Sequence, residues 1–249
     1  MSFVPPDHPR FLSLMYRERI VEKYKEGVVV LQGLIAHGRG EAFDYILGEQ
    51  TLPPALEAER AAAAMLKLAK RPVISVNGNA AALVPRELAE LGKELGAPLE
   101  VNLFYRSEER AEKIAELLKA NGAEEVLWRP DSELEGLSSE RRKVSSRGIG
   151  SADVVLVSLE DGDRTEALKR NGKKVIAIDL NPFSRTSLTA DITVVDNIIR
   201  AIPNILKFVK EMDEGEAEEV LEYFDNTKNL RETVKWIRKW LDEKASELL

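Results

Sequence analysis

From residue 72 onward, short apolar runs alternate with segments of helical periodicity. The runs fall at 73–76, 99–103, 125–128, 153–158, 175–179 and 192–195. Continuous apolar runs of this length suit strands covered on both faces, as in a parallel sheet. Between them, Leu88, Leu91 and Leu95 mark one face of a helix over 85–95, and Ala111, Ile114 and Leu118 mark a face over 108–120. Further helices are predicted over 165–171 and 197–212. Six strands in two groups of three predict an α/β fold with a Rossmann-like, doubly wound, mainly parallel sheet in the order 3-2-1-4-5-6. The polar stretch 129–150 falls where the two halves must be joined. A long surface loop or a broken helix is expected there.

The sheet is flanked by helical pattern on both sides. Residues 7–27 carry Phe11, Leu14, Met15, Ile20 and Val21 at helical spacing, with Gly27 as a stop. A second helix is predicted over 53–71, with small side chains at 61–64 for close packing. The tail 226–249 is amphipathic: Leu230, Val234, Ile237, Leu241 and Leu248 form a stripe. Trp236 and Trp240 stand one turn apart and are expected to stack. The stripe packs on the domain or forms a homodimer contact. The chain then reads as a single domain over 1–249, with a mainly helical segment (1–71), the Rossmann-like core (72–212) and C-terminal helices (213–249).

Composition narrows the chemistry. The 249 residues contain no Cys, which excludes disulfides, thiolate metal sites and a thiol nucleophile. His8 and His37 are the two histidines, so a His-rich metal centre is excluded as well. The formal net charge of -7, without a basic stripe, argues against nucleic acid. No apolar run is long enough for a membrane span and the start lacks a signal-peptide pattern, so a soluble, cytoplasmic protein is expected. Glutamine occurs at 32 and 50 alone, while Lys, Arg and Glu abound. That mix suits a chain adapted to heat.

In open parallel sheets, ligands bind beyond the carboxyl ends of the strands. Four such places are polar here. Asn77-Gly78-Asn79, after the first strand, lacks the glycine spacing of a dinucleotide fingerprint but allows close backbone approach to a phosphate or carboxylate. Glu160-Asp161-Gly162-Asp163-Arg164-Thr165, after the fourth, could hold Mg²⁺ or a substrate ammonium, with Asp163 as helix N-cap. Asp179-Leu180-Asn181, followed by Arg185 and Thr186, could read a ribose or adenine edge and a phosphate. Asp196-Asn197 follows the sixth strand. Outside the sheet, Gly38-Arg39-Gly40 reads as a flexible segment able to wrap a ligand. Neither a P-loop nor a GxSxG elbow is present.

Several of these blocks resemble one family. Residues Gly33 to Tyr45, Val76-Asn77-Gly78-Asn79, Asn102 to Arg106, Leu159 to Leu168 and Asp191 to Asn197 are similar to blocks of the archaeal 4-phosphopantoate–β-alanine ligases, also called phosphopantothenate synthetases. The blocks run in order over most of the chain, less clearly at 129–150 and in the last helix. The resemblance implies a Rossmann-like homodimer that joins 4-phosphopantoate to β-alanine with ATP. The products would be 4'-phosphopantothenate, AMP and diphosphate, in coenzyme A synthesis. It also implies ATP contacts at Arg17, Arg39, Asp179, Leu180, Asn181, Arg185, Thr186, Asn197 and Ile198.

An acyl-adenylate route follows from that reaction, with Mg²⁺ and the arginines screening the ATP phosphates. The 4-phosphate is assigned to Arg19, Arg106 and the Asn77–Asn79 turn. His37 is a candidate for a phosphate hydrogen bond or for proton removal, beside its reading as a buried structural histidine. Asp161 or Asp163 could hold the β-alanine ammonium. The competing readings are an acyl-phosphate or phosphoryl-transfer enzyme, a nicotinamide oxidoreductase, and a nucleotide-binding module without turnover.

Overall fold

The computed structural model describes residues 4–248. Three helices come first: α1 (Phe11–Lys25), α2 (Leu31–Ile46) and α3 (Pro53–Leu68). The first half of the sheet follows as β1 (Pro72–Val76), α4 (Gly78–Leu83), α5 (Pro85–Leu95), β2 (Leu99–Val101), α6 (Glu108–Ala120) and β3 (Val126–Leu127). The crossover carries β4 (Ser132–Glu133) and β5 (Lys143–Val144), with a 3-10 turn at Glu140–Arg142. The second half is β6 (Val154–Ser158), α7 (Gly162–Arg170), β7 (Lys174–Ile178), α8 (Arg185–Thr189) and β8 (Ile192–Val194). Helices α9 (Ile198–Glu211), α10 (Glu214–Tyr223) and α11 (Asn226–Ser246) end the described chain.

The six-stranded sheet has the order β3-β2-β1-β6-β7-β8, and every neighbouring pair is parallel. Counted within this sheet, that is the expected 3-2-1-4-5-6. The apolar runs explain it: β6 is buried along its whole length and β7 at all but its first residue. One face packs against α3, α5 and α9 through Ala61, Leu88 and Ile202. The other face is covered in part by the crossover, through Leu134, Val144 and Ile149. The order reverses between β1 and β6, so a crevice opens at the carboxyl ends of these two strands.

Three local expectations change. The glycine-containing segment around Arg39 is helical, part of α2, although three glycines disfavour a helix there. Tertiary contact supplies the missing stability. Gly33 packs so closely on Asn79 that a Cβ would overlap its Oδ1, and Gly40 approaches Leu180. The crossover is neither bare loop nor broken helix but a β-ribbon, tied down by Glu100 and Asn102 at the end of β2. Glu100 accepts from Ser145 N (3.0 Å) and Ile149 N (2.7 Å), and Asn102 Nδ2 donates to Lys143 O (3.0 Å). The N-cap of α7 is Asp161 rather than Asp163. Asp163 instead pairs with Arg185 at 2.6 Å.

The tail stripe divides. Leu230 and Asn229 are buried, and Asn229 Nδ2 donates to Pro54 O at 2.9 Å. Leu241 and Leu248 are exposed. The two indoles do not stack on each other. Lys239 lies over Trp236 and Lys244 over Trp240, whose Nε1 donates to Ile46 O at 2.9 Å.

At Gly78, a Cβ would stand 2.5 Å from Val28 O and 2.6 Å from Arg110 Nη2. Because one neighbour is backbone, Gly78→Ala is expected to destabilise the fold by about 1–3 kcal/mol, read from the midpoint of chemical denaturation.

Candidate functional site

The crevice at the β1–β6 switch point opens into a cavity of about 280 Å³. Asn77, Gly78 and Asn79 line one side, Arg110 and Arg141 another, and Ala36 of α2 the roof. Asn77 builds its turn from within: Oδ1 accepts from Ala80 N (3.0 Å) and Nδ2 donates to Ser158 O (2.7 Å). The β1 and β6 ends are thereby bolted together. Asn79 Nδ2 donates to Gly33 O at 2.8 Å and fixes α2 over the crevice.

Beneath the cavity lies a buried charge cluster. Glu160 accepts from the guanidinium groups of both Arg141 and Arg164. Arg164 is 1% exposed and also donates to Ser75 Oγ at 3.1 Å. Burial pushes Arg164 down to about 10 and Arg141 to about 9, so both stay charged at neutral pH. Burial also pushes Glu100 up, to about 7, against the pull of its two backbone donors. Taking charges out of water is unfavourable unless they are paired and hydrogen-bonded. Here the Nε atoms of Arg141 and Arg164 have no hydrogen-bond partner.

A second cavity of about 310 Å³ opens beside the first and shares Phe104 and Asp161 with it. Arg185 stands on its rim, held by Asp163 (2.6 Å) and Glu166 (2.9 Å). Thr186 Oγ1 donates to Glu160 O at 2.9 Å, linking α8 to the end of β6. Asp179 shapes the next loop by accepting from Asn181 N (2.9 Å) and Ser184 Oγ (2.5 Å). Leu180 faces Gly40 of α2. The strand-end segments after β6 and β7 and the middle of α2 therefore meet along one edge.

A sequence profile described as phosphopantothenate/pantothenate synthetase matches residues 54–240. Proteins named 4-phosphopantoate–β-alanine ligase are similar over nearly the full length. The one from Thermococcus kodakarensis is 53% identical over 99% of this chain and 97% of its own. The one from Methanosarcina mazei is 53% identical over 99% of both chains. That from Methanospirillum hungatei is 48% identical over 96% of this chain and 98% of its own.

The chain belongs to the phosphopantothenate/pantothenate synthetase family.

On this synthetase-family fold, the residues singled out in the sequence fall into three groups. Asn77, Gly78, Asn79 and Asp161 line the first cavity, and Asp163 and Arg185 the second. Arg39 is exposed one turn beyond Ala36, and no ion pair holds it among the described residues. Arg17 pairs with Glu41 at 2.6 Å. His37 and Asn197 line a third cavity of about 370 Å³, between α1, α2 and the start of α9. His37 lies two residues from Arg39, so the helix turns the two side chains apart. Burial lowers its pKa, and its Nε2 has no partner. Asn197 caps α9 and donates to Asp44 Oδ2 at 2.9 Å, while Ile198 is buried. Arg19 donates to Leu83 O at 2.9 Å, at the far end of α4, and Arg106 donates to Trp128 O. Neither of these two arginines lines any of the three cavities.

Arg110, Arg141 and the buried role of Glu160 were not legible in advance. Glu100 did leave a signal, a lone carboxylate inside an apolar strand run. No sequence pattern marks Arg141, which the ribbon delivers from the crossover. Among the described residues, no helix is long and apolar enough to cross a membrane, and no three His, Asp or Glu side chains gather as a metal site.

Next to the third cavity, Arg200 bridges Asp44 (2.6 Å) and Asp196. Asp196 stands beside Glu59, which is fully buried and accepts from Asn204 Nδ2 at 2.8 Å. Burial first, and the charge of Asp196 second, raise the Glu59 carboxyl well above the usual range. The folded state thus keeps this proton where the unfolded chain releases it. Stability from this group is full below the unfolded value near 4.5 and falls as pH rises until the folded carboxyl ionises. Glu59→Gln is expected to flatten that decline, read from urea midpoints at pH 5, 7 and 8.5; an unchanged slope would remove Glu59 as its source. Glu160→Gln leaves Arg141 and Arg164 with uncompensated charge, and a loss of about 3–5 kcal/mol is expected in the same denaturation experiment.

Proposed function

We infer that this chain is a ligase that condenses 4-phosphopantoate with β-alanine to 4'-phosphopantothenate, with ATP cleaved to AMP and diphosphate. One observation carries the reading beyond the family. Two cavities meet at Asp161, one lined by arginines on the β1–β6 crevice and one rimmed by Arg185 at the β7 edge. That arrangement suits an anionic acid meeting a nucleotide.

A carboxylate is a poor acyl donor because its leaving group would be oxide. In the first step a carboxylate oxygen attacks the α-phosphorus and diphosphate leaves. In the second the β-alanine amine attacks the acyl carbon, AMP leaves, and the ammonium proton goes to base or water. The protein aligns the reactants, screens charge and excludes water.

Arg39 and Arg185, with Arg17, are assigned to the ATP phosphates. The Asp179-Leu180-Asn181 loop is assigned to the nucleoside, with Thr186, Asn197 and Ile198 beside it. Arg185 is exposed, and its two carboxylate partners pre-aim it without burying it. Asp161 is placed between the cavities, where it can receive the β-alanine ammonium. Mg²⁺ would accompany the triphosphate, ligated largely by phosphate oxygens and water, since the acids after β6 face arginines. The homodimer implied by the family resemblance is kept as part of this reading.

The test is nucleotide product analysis with purified protein, ATP, Mg²⁺, 4-phosphopantoate and β-alanine, each omitted in turn. AMP and phosphopantothenate are expected together, and only when both organic substrates are present. ADP in place of AMP would replace the adenylate with an acyl phosphate. ATP left intact would overturn the ligase reading. Arg39→Ala is expected to keep the melting temperature and lose about 10–100-fold in kcat/KM, the worth of one charge-assisted phosphate contact. Wild-type turnover in that variant would take Arg39 out of the site.

A further inference from the structure

The first cavity holds two cations, Arg110 and Arg141, to which the ligase reading gives no separate role. Arg110 lies on α6, and its Nε and Nη1 donate to Val28 O (2.9 Å) and Tyr105 O (2.8 Å). No carboxylate pairs with it among the described residues. Its Nη2 is the atom that a Cβ on residue 78 would strike, so the glycine leaves room for this guanidinium against the turn after β1. Arg141 comes from the crossover and is 7% exposed. Glu160 satisfies one edge of it, while its buried Nε has no hydrogen-bond partner. Asp161 Oδ2 lies 3.7 Å from that Nε, with its side chain more than half exposed.

Two guanidinium groups thus converge on one cavity from different elements. They are near enough that Arg110 lowers the pKa of Arg141, as the charge of Arg164 does more strongly. Three buried or half-buried arginines face Glu160, which is fully committed to two of them, while Glu100 lies near Arg164 and the half-exposed Asp161 near Arg141, so Arg110 is the cation left without a carboxylate. Such an excess of positive charge is unfavourable when the cavity is empty and favourable when a dianion fills it. The planar forks also match phosphate oxygens in pairs.

We propose that Arg110 and Arg141 together bind the phosphate monoester of the acid substrate in the cavity between β1 and β6. This assignment replaces Arg19 and Arg106, neither of which lines this cavity. It rests on the ligase reading for the identity of the acid, but the phosphate site itself does not. Geometry sets the orientation. The reacting carboxylate must lie toward Asp161 and the Arg185 rim, where the nucleotide is placed. The far end of the acid then points to Arg110 and Arg141. The site would therefore select the phosphorylated acid over the same acid without phosphate, since the unphosphorylated form leaves two guanidinium groups unpaired.

Arg141→Lys keeps a charge for Glu160 but gives up the fork, and Arg110→Gln removes the unpaired cation. Each is expected to raise KM for 4-phosphopantoate about 10–100-fold and to leave KM for ATP within about twofold. The preference for 4-phosphopantoate over pantoate should shrink by a similar factor. A KM for 4-phosphopantoate that stays at the wild-type value in both variants overturns the proposal. So does a raised KM for ATP with the acid unaffected, because the cavity would then belong to the nucleotide. Inorganic phosphate supplies a readout independent of turnover. At matched ionic strength against chloride, it should raise the melting temperature of the wild-type protein, and by less in either variant. No phosphate-specific shift in the wild-type protein overturns the site even if a variant fails to fold. A phosphate shift without ligase activity would sustain the site while removing the ligase reading.

Discussion

Glu160 sits between two guanidinium groups at the end of β6, and the shape of the crevice follows from that contact. Arg164 reaches it from the first turn of α7 and continues to Ser75 on β1. Arg141 reaches it from the crossover, more than a dozen residues away in sequence. One carboxylate therefore joins the central strand pair, the following helix and the ribbon over the sheet. Its backbone oxygen also receives Thr186 of α8. The ion cluster is expensive to bury, yet it holds four elements in a single arrangement. Such a cluster serves specificity of structure more than net stability.

The architecture was readable because parallel strands leave a coarse mark. Runs such as Val154–Ser158 are apolar throughout, and their two groups of three fix the strand order once right-handed crossovers are assumed. The C-terminal ends of those strands pointed to Asn77, Asp161, Asp163 and Arg185, which do line the two adjoining cavities. Here the general geometry of open sheets did the work, and the family resemblance added the substrates.

What the sequence concealed has a common cause. Helix α2 is held by contacts between Gly33 and Asn79 and between Gly40 and Leu180, partners 46 and 140 residues away along the chain. Local propensity argues for flexibility at those glycines, and tertiary packing overrides it. Arg141 is similar, since its position depends on Glu100 anchoring the backbone of Ser145 and Ile149. Arg19 and Arg106 illustrate the converse. Both were assigned to the 4-phosphate, and in the fold each gives one guanidinium donor to a backbone carbonyl and lines none of the three cavities.

Helix α2 lines the acid cavity with Ala36, presents Arg39 a turn later, and borders the third cavity with His37, Glu41 and Asp44. Its lower side is clamped by Asn79, and its end is covered by the Trp240 indole on Ile46 O. The helix is thus a party wall, with Gly33 and Ala36 facing one chamber and His37, Glu41 and Asp44 the other.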